Sequence, residues 1–154
     1  MKLDIKKIIL QQMLVIIMAW SGMSVFSVSY ASETRGVLIA AESSTLQKTS
    51  IFEIRRIYLG LPSSTKNSIN NPVINLSNKS VFKEFLKNVL HMTESGYRRK
   101  IVKRVFRQGR KKVTEIKSTD EIVKHLNKNT QDVSFMTEET AKKTKGIRVV
   151  QYLW

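Results

Sequence analysis

"NPVINLSNKSVFKEFL", residues 71–86, joins a short apolar run to a stripe of apolar residues at helical spacing. Its first part, residues 72–76, is rich in β-forming residues and bounded by polar ones, which is typical of a strand. Ser77 or Ser80 is available as the N-cap of the helix that follows. The apolar stripe of this helix consists of Val81, Phe82, Phe85, Leu86, Val89 and Leu90. The segment therefore predicts a strand followed directly by an amphipathic helix.

Strands and helices are predicted to alternate on both sides of this segment. Residues 50–53 (SIFE) and 118–121 (STDE) have the spacing of a capping box, which marks the first turn of a helix. Three further runs that are apolar or alternating predict strands, at residues 36–41, 132–136 and 147–153. We therefore expect an α/β fold in which helices pack on a small sheet.

The first 31 residues have the pattern of a secretory signal peptide. Three lysines precede a mostly apolar run over residues 8–26, and residues 29–31 (SYA) have the small-x-small form of a cleavage site. We therefore expect residues 1–31 to be removed and residues 32–154 to form one periplasmic domain. Because the apolar run is just long enough to cross a bilayer, a retained inner-membrane anchor is the alternative.

The composition is strongly basic and free of cysteine. The chain has 27 Lys and Arg against 12 Asp and Glu, a formal net charge of +15. Such a charge favours anionic partners, for example phosphate-bearing ligands or lipid headgroups. Without cysteine the chain can form no disulfide and carry no lipid at the cleavage site, which suits a periplasmic protein. For an exported protein we expect no nucleic-acid partner.

Residues 96–112, GYRRKIVKRVFRQGRKK, contain nine Lys or Arg and no acidic residue. Helical spacing predicts a core-facing set made of Tyr97, Ile101, Val102, Val105 and Phe106. The cations cover the rest of the helix, and the predicted anion-facing surface consists of Arg98, Arg99, Lys103, Arg104 and Arg107. A merely solvated face is one interpretation of such a run. Docking on anionic lipid or on an acidic periplasmic protein is the other, since each basic residue near an anionic bilayer adds attraction.

The sequence contains no recognisable catalytic or metal-binding pattern. His91 and His125, the only two histidines, have no Cys and no cluster of carboxylates near them, so we expect both to be exposed helix residues. A nucleophile–base pair, metal-ligand spacing and a phosphate-binding Gly-rich loop are also missing from the sequence. We therefore predict a non-catalytic protein without a metal or cofactor.

The order of these motifs resembles the phosphate-type substrate-binding proteins of ABC importers, specifically the small single-lobe members. Residues 57–60 (IYLG) resemble the turn that ends a helix in that family, and the match extends over residues 37–150. Ser80 and Phe85 occupy the ends of an element of the form S-G-T-x-x-F. Tyr97, Ile101 and Phe106 stand where that family has two Trp and a Phe on its next helix.

This resemblance implies a single lobe of the type II periplasmic-binding-protein-like fold, a small mixed sheet flanked by helices. It also implies a non-catalytic substrate-binding or accessory role, with an anion site at Ser77 and Ser80, where a helix N-terminus attracts negative charge. Val81 and Phe82 stand where the family has Gly and Thr, and residues 129–135 (NTQDVSF) replace a glycine-rich turn. We therefore expect an inorganic anion to bind weakly.

Overall fold

A computed structural model describes residues 34–62, 69–109 and 112–154 of the chain. The predicted signal peptide lies outside these residues. The strands are β1 (Gly36–Ala41), β2 (Val73–Asn75), β3 (Thr114–Ile116), β4 (Ser134–Thr137) and β5 (Ile147–Tyr152). The helices are α1 (Ile51–Tyr58), α2 (Lys79–Phe85), α3 (Glu94–Gln108), α4 (Thr119–Lys128) and α5 (Glu138–Lys143), and α2 continues into a π-helical turn, Leu86–Leu90. Within the described ranges, no helix combines the length and apolar character needed to cross a bilayer.

The strands form two small sheets that meet along β2 and β4. In the larger sheet β1 is central and pairs antiparallel with β4 on one side and β5 on the other. β2 and β3 pair in parallel. An isolated parallel bridge between Pro72 and Val133, in which the Val73 amide donates to the Val133 carbonyl at 2.8 Å, brings β2 alongside β4. The sheets are thus mixed and flanked by helices, as predicted.

β1 is buried on both of its faces, which explains why its sequence, GVLIAA, is apolar throughout. Leu38 and Ala40 point into the main core, while Val37, Ile39 and Ala41 pack in a smaller cluster with α4 and α5. Aromatic rings fill the main core. The Phe85 ring of α2 stacks on Phe135 of β4 with centroids 3.9 Å apart, and Tyr58 of α1 meets Phe85 edge-on at 4.7 Å.

The predicted strands and the stripe of residues 81–90 are confirmed, but the predicted cap of α2 is wrong. Ser50 caps α1 as expected, since its hydroxyl accepts from the Glu53 amide at 3.2 Å. The cap of α2, however, is Asn78 rather than Ser77 or Ser80. Ser118 is the N-cap residue of α4, as predicted, although its side chain makes no capping hydrogen bond in the described structure. Serine is a preferred residue at this position, but the backbone of each loop decides which side chain reaches the amides.

Two elements, β3 and α5, had no counterpart among the predicted ones. β3 has three residues, two of them exposed, and α5 has six. Neither is long enough to show a period of its own. α5 begins directly after β4, where the Thr137 hydroxyl accepts from the Thr140 amide at 3.1 Å and caps the helix.

Candidate functional site

A cleft of about 820 Å³ lies where the start of α2, the end of β4 and the end of β5 meet. The strand pairing places these parts together, because β1 pairs with both β4 and β5. The cleft is lined by Thr34, Arg35, Asn78, Ser80, Val81, Glu84, Lys87, Asn88, Thr137, Tyr152 and Trp154. The residues that line the cleft thus come from the start, the middle and the end of the described part of the chain.

Trp154 closes one side of the cleft through contacts with the start of β1. Its indole Nε1 donates to the Thr34 carbonyl at 2.9 Å, and its carbonyl accepts from the Gly36 amide at 3.2 Å. A Cβ atom at Gly36 would lie 2.2 Å from the indole ring, far closer than atoms can approach. Glycine at position 36 is therefore required for the tryptophan to cover this edge of the sheet.

The structure brings Ser80, but not Ser77, to the cleft. Ser80 lies in the first turn of α2 and is exposed. The Ser77 hydroxyl instead donates to Asn75 Oδ1 at 2.6 Å, within the turn that follows β2. The Asn78 side chain, which the sequence did not single out, accepts from the amides of Ser80 at 2.9 Å and Val81 at 3.3 Å. These first-turn amides are the donors that would otherwise be offered to an anion.

Charges of both signs line the cleft and its edge. Arg35 and Lys87 contribute cations and Glu84 a carboxylate. Next to them, Glu138 at the start of α5 pairs with Lys142 at 2.7 Å and accepts from the Tyr152 hydroxyl at 3.1 Å. The hydrogen bonds from Lys142 and Tyr152, with the nearby charge of Arg35, hold the pKa of Glu138 below its usual value. Glu138 is therefore ionised at neutral pH, where its charge is paired with that of Lys142.

The two histidines are far from equivalent. His91 is exposed, as predicted, and ends the π-helical turn with a left-handed backbone. His125 is half-buried, against prediction, and its Nε2 lies 2.9 Å from Oδ2 of the buried Asp132. Asp132 also accepts from the Asn71 amide at 3.0 Å, so this pair joins α4 to the segment before β2. Across the described residues, no group of three or more His, Asp or Glu could hold a metal ion.

The predicted core face of α3 is only partly correct. Tyr97 and Ile101 are buried and Val105 packs against the core, but Val102 is 53% exposed and Phe106 is 83% exposed. At about 3.6 residues per turn, the nine positions from Tyr97 to Phe106 amount to about two and a half turns. Phe106 therefore lies on the side of the helix opposite Tyr97 and cannot belong to the core.

The five cations of the predicted anion-facing surface have different environments. Arg98 pairs with Glu94 at 2.8 Å. Arg104 is half-buried, and its guanidinium donates to the Gly60 carbonyl at 2.6 Å, which connects α3 to the end of α1. The remaining cations, Arg99, Lys103 and Arg107, are exposed and have no hydrogen bond or ion pair with any described residue.

No protein-family model matches the chain, and no curated protein matches it in sequence. Among solved structures, an ABC-type phosphate transport receptor from Vibrio cholerae matches with a TM-score of 0.55 and 12% sequence identity. The match covers 77% of this chain and 46% of the receptor, so the chain spans about half of the receptor's length. The AvGluR1 ligand-binding domain in complex with glutamate matches with a TM-score of 0.45 and 13% identity, over 79% and 41% of the two chains.

At 12% identity the likeness to the phosphate transport receptor shows the fold alone. It confirms the predicted class, an α/β lobe of the periplasmic-binding-protein type. Closer membership of the phosphate-type family stays a prediction that rests on the motifs of the sequence.

Proposed function

We propose that this chain is a non-catalytic periplasmic binding or accessory protein, related to the phosphate-binding proteins of ABC importers, that binds small anions weakly in the cleft beside α2. One observation carries the proposal: in a lobe with the fold of a phosphate transport receptor, the first turn of α2 and Arg35 face a common cleft. Residues 1–31 would act as the export signal and residues 32–154 as the mature domain.

The geometry of α2 explains why binding should be weak. The Asn78 carboxamide already occupies the amides of Ser80 and Val81, so an anion would have to displace it. Val81 and Phe82 are buried in the core. They therefore offer neither the small side chain nor the hydroxyl that the resembled family has at these positions. The carboxylate of Glu84 also lines the cleft and would repel an anion.

Titration calorimetry with inorganic phosphate tests the proposal on protein recovered from the periplasm of a Gram-negative host. For the wild type we expect a dissociation constant weaker than about 0.1 mM, near the weak end of the scale. Asn78→Gly should bind phosphate more tightly, because it frees two amides while glycine at an N-cap costs only a few tenths of a kcal/mol relative to asparagine. Arg35→Gln should weaken the binding seen in Asn78→Gly.

Lys117→Gln serves as the control, since it removes one exposed cation outside the cleft. It should leave phosphate binding as in the wild type. A micromolar constant for the wild type would show that the capped amides do not limit binding. If neither wild type nor Asn78→Gly releases heat with phosphate, the cleft is not an anion site and the protein's role must lie on another surface.

A further inference from the structure

The outward side of α3 presents an apolar ridge, made of Val102 and Phe106, that is surrounded by Lys and Arg side chains. Val102 and Phe106 are four residues apart, so they lie about one helical turn from each other on the same side. Both are exposed, Phe106 to 83%. A shallow groove of about 490 Å³ along this side is lined by Arg98, Arg99, Val102, Lys103, Phe106 and Arg107. These residues are called the outer face of α3 below.

The rest of the lobe holds the outer face toward solvent. On the inner side of α3, Tyr97 and Ile101 are buried and Val105 packs beside them. Arg104 adds its hydrogen bond to the Gly60 carbonyl at 2.6 Å. Rotating the helix to bury Phe106 would expose Tyr97 and break this bond. The exposure of the ridge is therefore fixed by the packing of the inner side.

The charges around the ridge are largely uncompensated. Arg98 has Glu94 as its partner, whereas Arg99, Lys103 and Arg107 bond to no other described residue. No acidic residue occurs anywhere in positions 95–114. A partner that fits this face must supply several negative groups and, next to them, an apolar phase for an aromatic ring.

An anionic bilayer surface supplies both, because headgroup phosphates lie just above the acyl chains. A helix that presents large apolar residues between Lys and Arg is typical of segments that lie in the membrane interface. An acidic protein or a polyanion would satisfy the cations, but a soluble polyanion has no apolar phase for Phe106. The combination of the ridge with its cations thus favours lipid.

We propose that the outer face of α3 docks the protein on anionic phospholipid, with Val102 and Phe106 entering the acyl boundary and Arg99, Lys103 and Arg107 binding headgroup phosphates. This docking is independent of the cleft and of any anion bound there. It would keep a periplasmic protein at the membrane surface without requiring any of the described helices to cross the bilayer.

Vesicle co-sedimentation tests the proposal, with phosphatidylglycerol–phosphatidylethanolamine vesicles compared with phosphatidylcholine vesicles. The wild type should bind only the anionic vesicles, and less in about 1 M salt, where the Debye length is about 3 Å. A triple variant, in which Arg99, Lys103 and Arg107 are all replaced by Gln, should bind anionic vesicles at least about tenfold more weakly. The matched control replaces Lys124, Lys128 and Lys145 with Gln, which changes the net charge equally at exposed positions outside α3. It should reduce binding by less than about twofold, because those cations do not touch the headgroups.

The apolar ridge is tested separately from the charges. Phe106→Ser should weaken binding to anionic vesicles several-fold while leaving its salt dependence in place. In Phe106→Trp, fluorescence of residues 32–154, measured against the background of Trp154, should shift to the blue on anionic vesicles and be quenched by brominated acyl chains. Thermal melts should be the same for all variants, because every replaced side chain is exposed.

Three results would overturn the proposal. The first is no binding of the wild type to anionic vesicles, including the case in which the same face binds an acidic protein instead. The second is equal loss in the α3 and control triple variants, which would mean that net charge alone drives binding. The third is vesicle binding in which Phe106→Ser behaves as the wild type and Trp at position 106 stays in water.

Discussion

The two successive helical segments, α2 with its π-helical turn and α3, differ in what they leave unsatisfied. In the first, Asn78 bonds the amides of the opening turn, and every large apolar residue of the stripe over residues 81–90 is buried. In α3 the inner side also packs against the core, but Val102, Phe106 and three cations face solvent. Burial in the core accounts for every apolar residue of the stripe in the first segment. It does not account for Val102 and Phe106 on the outer side of α3, which a binding partner would cover.

Replacing one phenylalanine in each segment tests this contrast with the largest expected effect. Phe85 is fully buried and stacked on Phe135, so Phe85→Ala should lower the free energy of unfolding by about 3 to 5 kcal/mol. Phe106→Ala should change it by less than about 0.5 kcal/mol, because the ring is exposed. Urea unfolding followed by circular dichroism measures both. Similar losses for the two variants would mean that Phe106 is buried in solution.

The stripe of α2 could be predicted because its apolar residues occupy one continuous arc. Phe85 and Val89, for example, lie four positions apart and both are buried. In α3 the apolar residues fall on two arcs, one through Tyr97 and Ile101 and one through Val102 and Phe106. Spacing gives the angle of each residue about the helix axis, but the packing of the whole lobe decides which arc meets the core. The sequence therefore predicted the helix but misassigned two of its five predicted core-facing residues, Val102 and Phe106.

The cleft could be predicted only in part. Ser80 follows from the helix start, but Arg35 and Tyr152 lie more than a hundred residues apart and approach the same cleft because β1 pairs with β5. Such pairings between distant segments leave no local pattern in one sequence. Asn78 could have been considered, since asparagine ranks with serine as an N-cap, yet the capped amides depend on the backbone of the turn.

A comparison of two arginines on α3 should show an intermediate effect. Arg104→Ala should lower the free energy of unfolding by about 1.5 kcal/mol, because it removes a charged donor from the Gly60 carbonyl at the end of α1. Arg107→Ala should change stability by less than about 0.5 kcal/mol, since its side chain is exposed and unpaired within the described structure.

Binding to anionic vesicles should respond in the opposite order. Arg107→Ala should weaken it, whereas Arg104→Ala should leave it unchanged once the fraction of folded protein is taken into account. If the two variants lose stability equally, the bond to Gly60 contributes nothing, and Arg104 belongs with the outer face as the sequence first indicated.

The smallest effect is expected from Arg98, the one cation of the outer face that has an acidic partner. The hydrogen bond from Arg98 holds the pKa of Glu94 below its usual value, and the charges of Arg98, Lys79 and Lys83 act in the same direction. The ionised carboxylate thus favours the folded state at pH values above its ordinary pKa. This contribution disappears as the pH falls through the lowered pKa of Glu94 in the folded protein.

Arg98→Gln should therefore raise the pKa of Glu94, as followed by NMR, and the small stability difference from the wild type at neutral pH should disappear in acid. Lys100→Gln removes an equal charge from the same helix without touching the hydrogen bond. If it raises the pKa of Glu94 as much as Arg98→Gln does, the general field of the helix lowers that pKa, and Arg98 is as free to meet an anionic surface as Arg99.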